Sequence, residues 1–289
     1  MLATSTATPG FWDWSFDPPL VLVIDLAILY WLGNRRTVTP ERTRVAQRWR
    51  TGCFYAALAV LAVALASPIE LLSEQLFWVH MIQHVLLLMV AAPLFVLARP
   101  WIRLWRCLPL SGRRSLGRAL SQGESAAPLR ALSRAIGNPA ASFVLFSGVL
   151  LAWHVPLLFD ATLRSSELHA LEHTLFFCTA LLFWKQVIPS APLRALLSSP
   201  QRVGYLVGAM IVSWVLAVVL ALAPHPLYSF YAHEAVRPGG ISAMADQQIA
   251  AGVMWVPGSI TFLIVIFAYV HRWLSPPAPA PEPRLVGGQ

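Results

Sequence analysis

The sequence predicts an all-α integral membrane protein with seven transmembrane helices, its N-terminus outside and its C-terminus in the cytoplasm. Three observations predict this fold class: the composition, seven long apolar segments, and an uneven distribution of basic residues. Of the 289 residues, 57% are hydrophobic and 12% are charged, and the mean hydropathy is +0.63. These values are too apolar for a soluble domain of this length. The chain is therefore expected to fold in a lipid bilayer.

Seven segments are long enough, or nearly so, to cross a hydrocarbon core of about 30 Å, which takes roughly 20 helical residues. They are 18–33, 52–72, 76–97, 139–159, 168–188, 203–223 and 249–273. Proline and glycine inside these segments are compatible with membrane helices, since neighbouring helices can satisfy the backbone groups that they free. The first segment has no preceding Lys or Arg, so it is predicted to be retained rather than cleaved as a signal peptide. Residues 1–274 are expected to form one membrane domain.

The basic residues concentrate on one side of these segments. Arginines cluster after the first and third segments and, with Lys185, after the fifth, whereas residues 1–17 contain none. Because cytoplasmic loops carry the excess of Lys and Arg, this pattern sets the predicted orientation. The net charge of +8 is then explained by loops that face anionic lipid headgroups, and no nucleic-acid partner is expected.

Two regions outside the spans have their own character. The basic loop 99–138 contains LSGRRSLGRAL, which predicts a short amphipathic helix on the cytoplasmic surface within the same domain. The tail 275–289 is rich in proline and is predicted to be extended and disordered.

The three cysteines form no C-x-C or C-x-x-C pattern, so the sequence predicts neither a thiolate copper clamp nor a dithiol redox site.

Histidines are the most informative residues in the chain. HMIQH and HALEH each place two imidazoles one helical turn apart on the same helix face, in the outer half of the predicted bundle. Ionisable groups in a bilayer are costly and usually face the bundle interior, and imidazole is the commonest protein ligand for transition metals. A third predicted helix adds one more imidazole at a matching depth. The sequence therefore predicts a metal site formed by His80, His84, His154, His169 and His173.

Other polar and soft side chains are expected to support these ligands. Metal-bound histidines donate their second ring N–H to carboxylates or carbonyls, and thioethers suit reduced copper. The predicted supporting residues are Gln83, Asp160, Glu172, Asp246, Gln247, Gln248, Met81 and Met244. Asp246 has a second interpretation as a cap on the N-terminus of its helix, and packing is the alternative role for the methionines.

Two further chemistries remain open for the same residues. HALEH matches H-x-x-E-H, in which His169 and His173 would bind zinc and Glu172 would be the general base of a hydrolase. Against this, the motif opens a membrane span, and the chain has no soluble domain to form a peptide cleft. In the other alternative, haem b is held between facing helices, with His84 and His173 as axial ligands. A di-iron oxygenase is disfavoured because its histidine clusters would lie on the cytoplasmic face.

Three segments resemble the multi-span CtaG family of cytochrome c oxidase assembly factors. They read HMIQHVLLLMVAAPLFVLARP, WHVPLLFDATLRSSELHALEHTLFFCTALLFWKQVI and DQQIAAGVMWVPGSITFLIVIFAYVHRW. The segments cover predicted spans three to five and seven, in the family's order and spacing. The family pattern falls on His80, Gln83, His84, Trp153, His154, Pro156, Asp160, His169, Glu172, His173, Asp246, Gln247, Gln248, Trp255 and Pro257.

The resemblance implies a non-enzymatic role in maturing the haem-copper oxidase at the bacterial plasma membrane, with oxidase subunits as partners. Metal binding is inferred from the imidazole chemistry, not from the resemblance, and copper is the favoured ion. Several histidines without thiolates permit a labile site from which copper can pass to the oxidase by ligand exchange. Zinc and haem b are the alternative cofactors, and no catalytic residue is assigned.

Overall fold

The computed structural model describes residues 13–14, 18–192, 196–234 and 237–275. These residues fold as helices, and no β-strand forms among them, so the predicted all-α class is confirmed. The tail predicted to be disordered lies outside the described residues beyond Ser275.

The fourteen α-helices of the described residues follow one another with short connections. In chain order they are α1 (Pro18–Arg35), α2 (Arg44–Ala66), α3 (Pro68–Ser73), α4 (Phe77–Val85), α5 (Ala92–Ala98), α6 (Trp101–Arg106), α7 (Leu110–Gln122), α8 (Ala127–Ile136), α9 (Pro139–Trp153), α10 (Pro156–Thr162), α11 (Ser166–Val187), α12 (Ser199–Leu222), α13 (Ser229–Ala232) and α14 (Ala243–Leu274). Leu86–Ala91 is a π-helix that joins α4 to α5 without a break, and 3-10 turns occupy Glu41–Thr43, Glu124–Ala126 and Pro238–Gly240.

Four continuous helices in the described part of the chain are long and apolar enough to cross a membrane. They cover Glu41–Ala66, Phe77–Ala98, Ser199–Leu222 and Ala243–Leu274. A fifth candidate is α9 taken together with the segment Glu124–Ile136, from which it is bent by 80°. The structure thus contains four to five candidate spans. The two other predicted windows, 18–33 and 168–188, are occupied by α1 and α11, which have 18 and 22 residues.

Prolines divide two of the predicted windows into shorter helices. Within 139–159 the chain leaves the helical conformation at His154 and Val155, and α10 begins at Pro156. Within 52–72 the break is at Ser67, before Pro68. A proline disfavours the helical conformation of the residue before it and is well suited to the first position of a new helix. The first of these breaks places His154 at the end of α9.

Two groups of buried apolar residues hold the helices together. The smaller group packs α1, α2 and α5 around Tyr30 and Phe54, whose rings stack with centroids 4.0 Å apart. The larger group lies among α4, α9, α11, α12 and α14 and includes the fully buried Phe183 and Trp184. Large apolar side chains on the outward faces of α1, α12 and α14 are exposed, as lipid-facing residues would be.

The π-helix Leu86–Ala91 lies in the middle of the helix that carries HMIQH. Pro93 has no N–H to donate to the carbonyl of Met89, four residues earlier. The hydroxyl of Thr261, on α14, donates to that carbonyl at 2.8 Å instead. A neighbouring helix thereby satisfies a backbone group that the irregular segment frees.

A second side chain makes the same kind of contact from α11. The indole Nε1 of Trp184 donates to the carbonyl of Leu88 at 2.8 Å. Two helices that border the histidine-bearing helix, α11 and α14, are therefore tied to its backbone by side-chain hydrogen bonds.

We expect Thr261→Val to destabilise the fold, because it keeps the side-chain shape but leaves the Met89 carbonyl without its donor. The expected loss in the free energy of unfolding is about 1–3 kcal/mol, measured by denaturation of the purified protein in detergent. The matched control is Thr174→Val, since the Thr174 hydroxyl is on an exposed residue and donates within its own helix to Ala170. The control should stay within about 0.5 kcal/mol of the wild type. Equal stability of the two variants would contradict this role of Thr261.

Candidate metal centre

Four of the five predicted histidine ligands meet between α4 and α11. The ring centroids are 4.5 Å apart for His80 and His84, 5.0 Å for His80 and His169, and 5.5 Å for His84 and His173. Donor atoms lie within 4.8 Å of one another in two groups: His80, His84 and His173, and His80, His169 and Glu172. All of these side chains are buried. Distances of this size allow several donors to reach a single ion after small movements.

Glu172 lies within the histidine cluster, in the position of a direct metal ligand, although the sequence predicted only a supporting role for it. Its Oε1 is 3.5 Å from Nε2 of His84, and its Oε2 is 3.7 Å from Nε2 of His80. The side chain is 0% exposed. The nearby hydroxyl of Thr162 donates to the carbonyl of Phe159 at 2.8 Å, and neither Glu172 oxygen has a hydrogen-bond partner of normal geometry among the described residues. A buried carboxylate without hydrogen bonds is energetically costly unless a cation compensates its charge. The carboxylate is therefore a candidate direct ligand.

A short chain of hydrogen bonds determines which nitrogen of His80 faces the cluster. The hydroxyl of Tyr231 donates to the carbonyl of Ser73 at 2.5 Å, so its oxygen accepts from Nδ1 of His80, 3.1 Å away. In the neutral ring, Nε2 then carries the lone pair, and this atom is 3.0 Å from Nε2 of His84. Tyr231 thus orients His80 with a ligating nitrogen toward the cluster, as outer residues commonly do in metal sites.

Glu70, on α3, plays the corresponding role for His169. Its Oε1 lies 3.4 Å from Nδ1 of His169, which leaves Nε2 as the ring nitrogen without a hydrogen-bond partner among the described residues. Gln83 donates to the Glu70 carboxylate and to the carbonyl of Ala64. A carboxylate beside the second nitrogen of a histidine raises its basicity as a ligand. Gln83 therefore supports the cluster through Glu70.

Neither Glu70 nor Tyr231 was among the predicted site residues. Glu70 carried a usable signal, because it is an acidic residue at the end of the second predicted span, beside the turn to the third span and on the side of the histidines. Tyr231 lies in the connection between α12 and α14, and no motif marks it. Its contact with His80 joins residues 151 positions apart.

His154 lies beside the cluster and belongs to neither of the two donor groups. Its ring centroid is 6.0 Å from that of His84. Its Nδ1 donates to the carbonyl of Leu150 at 2.7 Å, and its Nε2 is 3.4 Å from Sδ of Met81. The second ring nitrogen of the fifth predicted ligand therefore faces a thioether.

Asp246 holds the histidine-bearing helix in place. Its two carboxylate oxygens accept from the backbone N–H groups of Phe77, at 3.0 Å, and Trp78, at 2.9 Å. These groups begin α4 and have no partner within that helix. Asp246 is thus a helix cap, but of α4 and not of its own helix, where Ser242 is the cap.

Asp160 and Gln247 likewise contact helix ends and loops. Asp160 accepts from the first two backbone N–H groups of α13, both at 3.1 Å. Gln247 accepts from the N–H of Leu227 at 2.7 Å and donates to the carbonyl of Leu220 at 2.9 Å. Both residues therefore fix the connection that carries Tyr231, and they act on the cluster through that residue.

The remaining supporting candidates differ in their surroundings. Met81 is fully buried against His154. Gln248 is exposed and Met244 is half-buried, and within the described part of the chain neither makes a hydrogen bond or ion pair. The structure therefore brings only Met81 of these three to the histidines.

Comparisons with known proteins point to one family. A family model described as cytochrome c oxidase caa3 assembly factor (Caa3_CtaG) matches residues 28–275, which include all the candidate ligands. Uncharacterised proteins of Mycobacterium bovis and Mycobacterium tuberculosis are each 27% identical over 269 residues, covering 90% of this chain and 39% of the relative. An uncharacterised Mycobacterium leprae protein is 24% identical over 275 residues, covering 91% and 40%. The chain thus spans about two fifths of the length of these relatives. No solved structure matches it.

We expect Asp246→Ala to destabilise α4, because the two N–H groups at its start lose a charged acceptor. The expected loss in the free energy of unfolding is about 1–3 kcal/mol, with faster hydrogen exchange in the first turn of α4. Gln248→Ala, an exposed position on the same helix, is the matched control and should be close to neutral. A stable Asp246→Ala variant with unchanged exchange in α4 would rule out the capping role.

Proposed function

Since the chain belongs to the cytochrome c oxidase caa3 assembly factor family, we propose that it contributes to oxidase assembly by binding a metal ion between α4 and α11. Copper is the favoured ion. His80, His84, His169 and His173 are the proposed ligands, together with the carboxylate of Glu172. The oxidase subunit that receives the ion is the proposed partner.

The observation that carries this proposal is the environment of Glu172. A carboxylate that is fully buried, without a hydrogen-bond donor, lies within 3.7 Å of two imidazole nitrogens. A bound cation would offset the charge and draw the nitrogens inward, which removes the cost of the unpaired groups. Imidazole with one carboxylate suits copper and zinc. A role in assembling a copper enzyme favours copper.

The arrangement also supports release of the ion. The proposed ligands are exchangeable imidazoles, and the site lacks the thiolates that bind copper most tightly. His154 is next to the cluster and can serve as an exchanging ligand. No step of this function requires covalent catalysis, so the protein is proposed to act without an enzymatic reaction.

We propose the complete seven-span topology together with this function. Seven spans, with the N-terminus outside the bacterial plasma membrane, would place the first turns of α4 and α11 on the outer side, where the cluster would take copper from outside the cell. The basic helices α7 and α8 would then lie on the cytoplasmic surface. Their exposed leucines and arginines, among them Leu116, Leu129, Arg114 and Arg134, fit contact with anionic lipid.

The geometry favours this function over the haem alternative. In the haem hypothesis, His84 and His173 would ligate iron from opposite sides of a macrocycle. Nε2 of His84 instead faces another imidazole at 3.0 Å and a carboxylate at 3.5 Å. The cluster therefore resembles an ion site more than a slot for a planar cofactor.

We expect the double variant His80→Ala, His173→Ala to lose metal and function together. Because one ligand is removed from each helix, metal affinity should fall at least about 10- to 100-fold, measured by mass spectrometry of the metal in purified protein. Oxidase activity in membranes from cells lacking the wild-type chain should fall with it. The control is His225→Ala, His233→Ala, at two exposed positions outside the cluster. Unchanged metal content and oxidase maturation in the first variant would refute the shared site.

We expect a reporter that is active only outside the plasma membrane to be inactive when it is fused after Gln289. A reporter active only in the cytoplasm should give signal at the same position, because the excess of arginine predicts a cytoplasmic C-terminus. The reverse result would place the histidine cluster on the cytoplasmic side and overturn the proposed source of copper.

A further inference from the structure

We infer a second, softer metal site beside the histidine cluster, formed by thioether sulfurs and imidazole nitrogens. It lies further along α4 and the π-helix, toward the middle of the span Phe77–Ala98. The ligand class is a soft monovalent cation, Cu(I) in the cell. As a binding site it stands on its own geometry, while its use as the next position in copper transfer rests on the proposed function.

The site is a small cavity with an unusual lining. Its volume is about 20 Å³, and its walls include Met81, Met89, Met254, His84 and His154. All five of these side chains are buried. The chain has only six methionines, so half of them line this one cavity. A space of roughly 10–15 Å³ suffices for one water molecule, so the cavity can accommodate a single ion.

Two lone pairs face each other at the edge of this cavity. Because Nδ1 of His154 donates to the Leu150 carbonyl at 2.7 Å, Nε2 of the neutral ring carries the lone pair. That nitrogen lies 3.4 Å from Sδ of Met81. A thioether sulfur and an unprotonated ring nitrogen are both electron-pair donors, and neither has a hydrogen to offer the other. The contact is therefore not a hydrogen bond, and it leaves both lone pairs available to a shared cation.

The distance itself is that of two ligands on one metal ion. Metal bonds of about 2.0 Å to imidazole nitrogen and about 2.3 Å to sulfur, as known for zinc, separate the two donors by about 3.5 Å at the tetrahedral angle. The observed separation of 3.4 Å is close to this value. The pair thus needs little rearrangement to bind an ion of this size.

His84 provides a third donor on the same cavity. The proton of His80 lies on Nδ1, so the 3.0 Å contact between the two Nε2 atoms requires a proton on Nε2 of His84. Nδ1 of His84 then carries a lone pair, and this buried atom has no hydrogen-bond partner among the described residues. Since His84 lines the cavity, Nδ1 is the nitrogen available to an ion there.

The chemistry of these donors selects the ion. Thioethers are weak hydrogen-bond acceptors but good ligands for Cu(I), and they bind hard or divalent ions poorly. The carboxylate of the histidine cluster favours harder ions, but the imidazoles of that cluster also suit copper, so the cluster can hold Cu(I). His84 can use Nε2 toward the cluster and Nδ1 toward the cavity. A Cu(I) ion can therefore move from one site to the other by exchanging ligands around this ring, without a change of oxidation state.

The test uses two metal probes on the full chain in detergent, Ag(I) for the thioether cavity and Zn(II) for the histidine cluster. The three cysteines are first replaced by alanine, because thiolates bind silver tightly. Met81→Leu conserves side-chain volume and removes the sulfur. It should lower Ag(I) affinity at least 10-fold and leave Zn(II) affinity unchanged. His169→Ala, which does not line the cavity, should do the reverse. Met254→Leu is a second cavity variant in case Met81→Leu fails to fold.

The matched control is Met244→Leu, at a methionine outside the cavity lining, which should change neither affinity. If Met81→Leu and Met254→Leu bind Ag(I) as the parent does, the methionines are packing residues or the cavity holds water, and the inference is wrong. If Zn(II) does not bind but Ag(I) binding depends on Met81, the proposed histidine site fails while the thioether site stands. If Zn(II) binds and no cavity variant affects Ag(I), only the thioether site fails.

Discussion

The buried carboxylate of Glu172 is the constraint on which the rest of the site depends. A carboxylate that stays ionised in an apolar interior needs hydrogen-bond donors or a cation. Two of the four imidazoles around Glu172 direct their protons toward outer partners, so as neutral rings they present lone pairs to the carboxylate and not donors. Tyr231 and Glu70 hold the protons of His80 and His169 away from the centre. The resulting concentration of lone pairs is what a metal ion requires, and it would be unfavourable without one.

Polar residues that are far from the histidines in the sequence hold in place the elements that form the cluster. Asp246 caps α4 from α14, and Asp160 and Gln247 fasten the connection that carries Tyr231. These residues do not touch the proposed ion. Asp246 fixes the start of α4, the helix that carries His80 and His84. Asp160 and Gln247 fix the position of Tyr231, the hydrogen-bond partner of His80. Substituting them should therefore act on metal binding through the position of the ligands.

The all-α class and the pairing of the histidines could be predicted from the sequence, because both follow from local patterns. Spacing by four residues puts His80 with His84 and His169 with His173 on one face, and the cost of burying imidazoles in a bilayer directs those faces inward. The sequence could not predict the contacts made across the bundle. Tyr231 reaches His80 from a connection without a recognisable motif, and Asp246 caps a helix more than 160 positions away. The π-helix was also not foreseen, since two of its carbonyls are satisfied by side chains from α11 and α14 that are distant in the sequence.

X-ray absorption at the copper edge of the wild-type protein, purified from copper-supplied cells, tests the central claim most directly. We expect bound copper with nitrogen and oxygen neighbours and the multiple-scattering pattern of coordinated imidazole, a pattern that should weaken in Glu172→Gln as the ion is lost. Wild-type protein that binds neither copper nor any other transition metal would contradict the proposed metal centre, because the histidine cluster would then hold no ion.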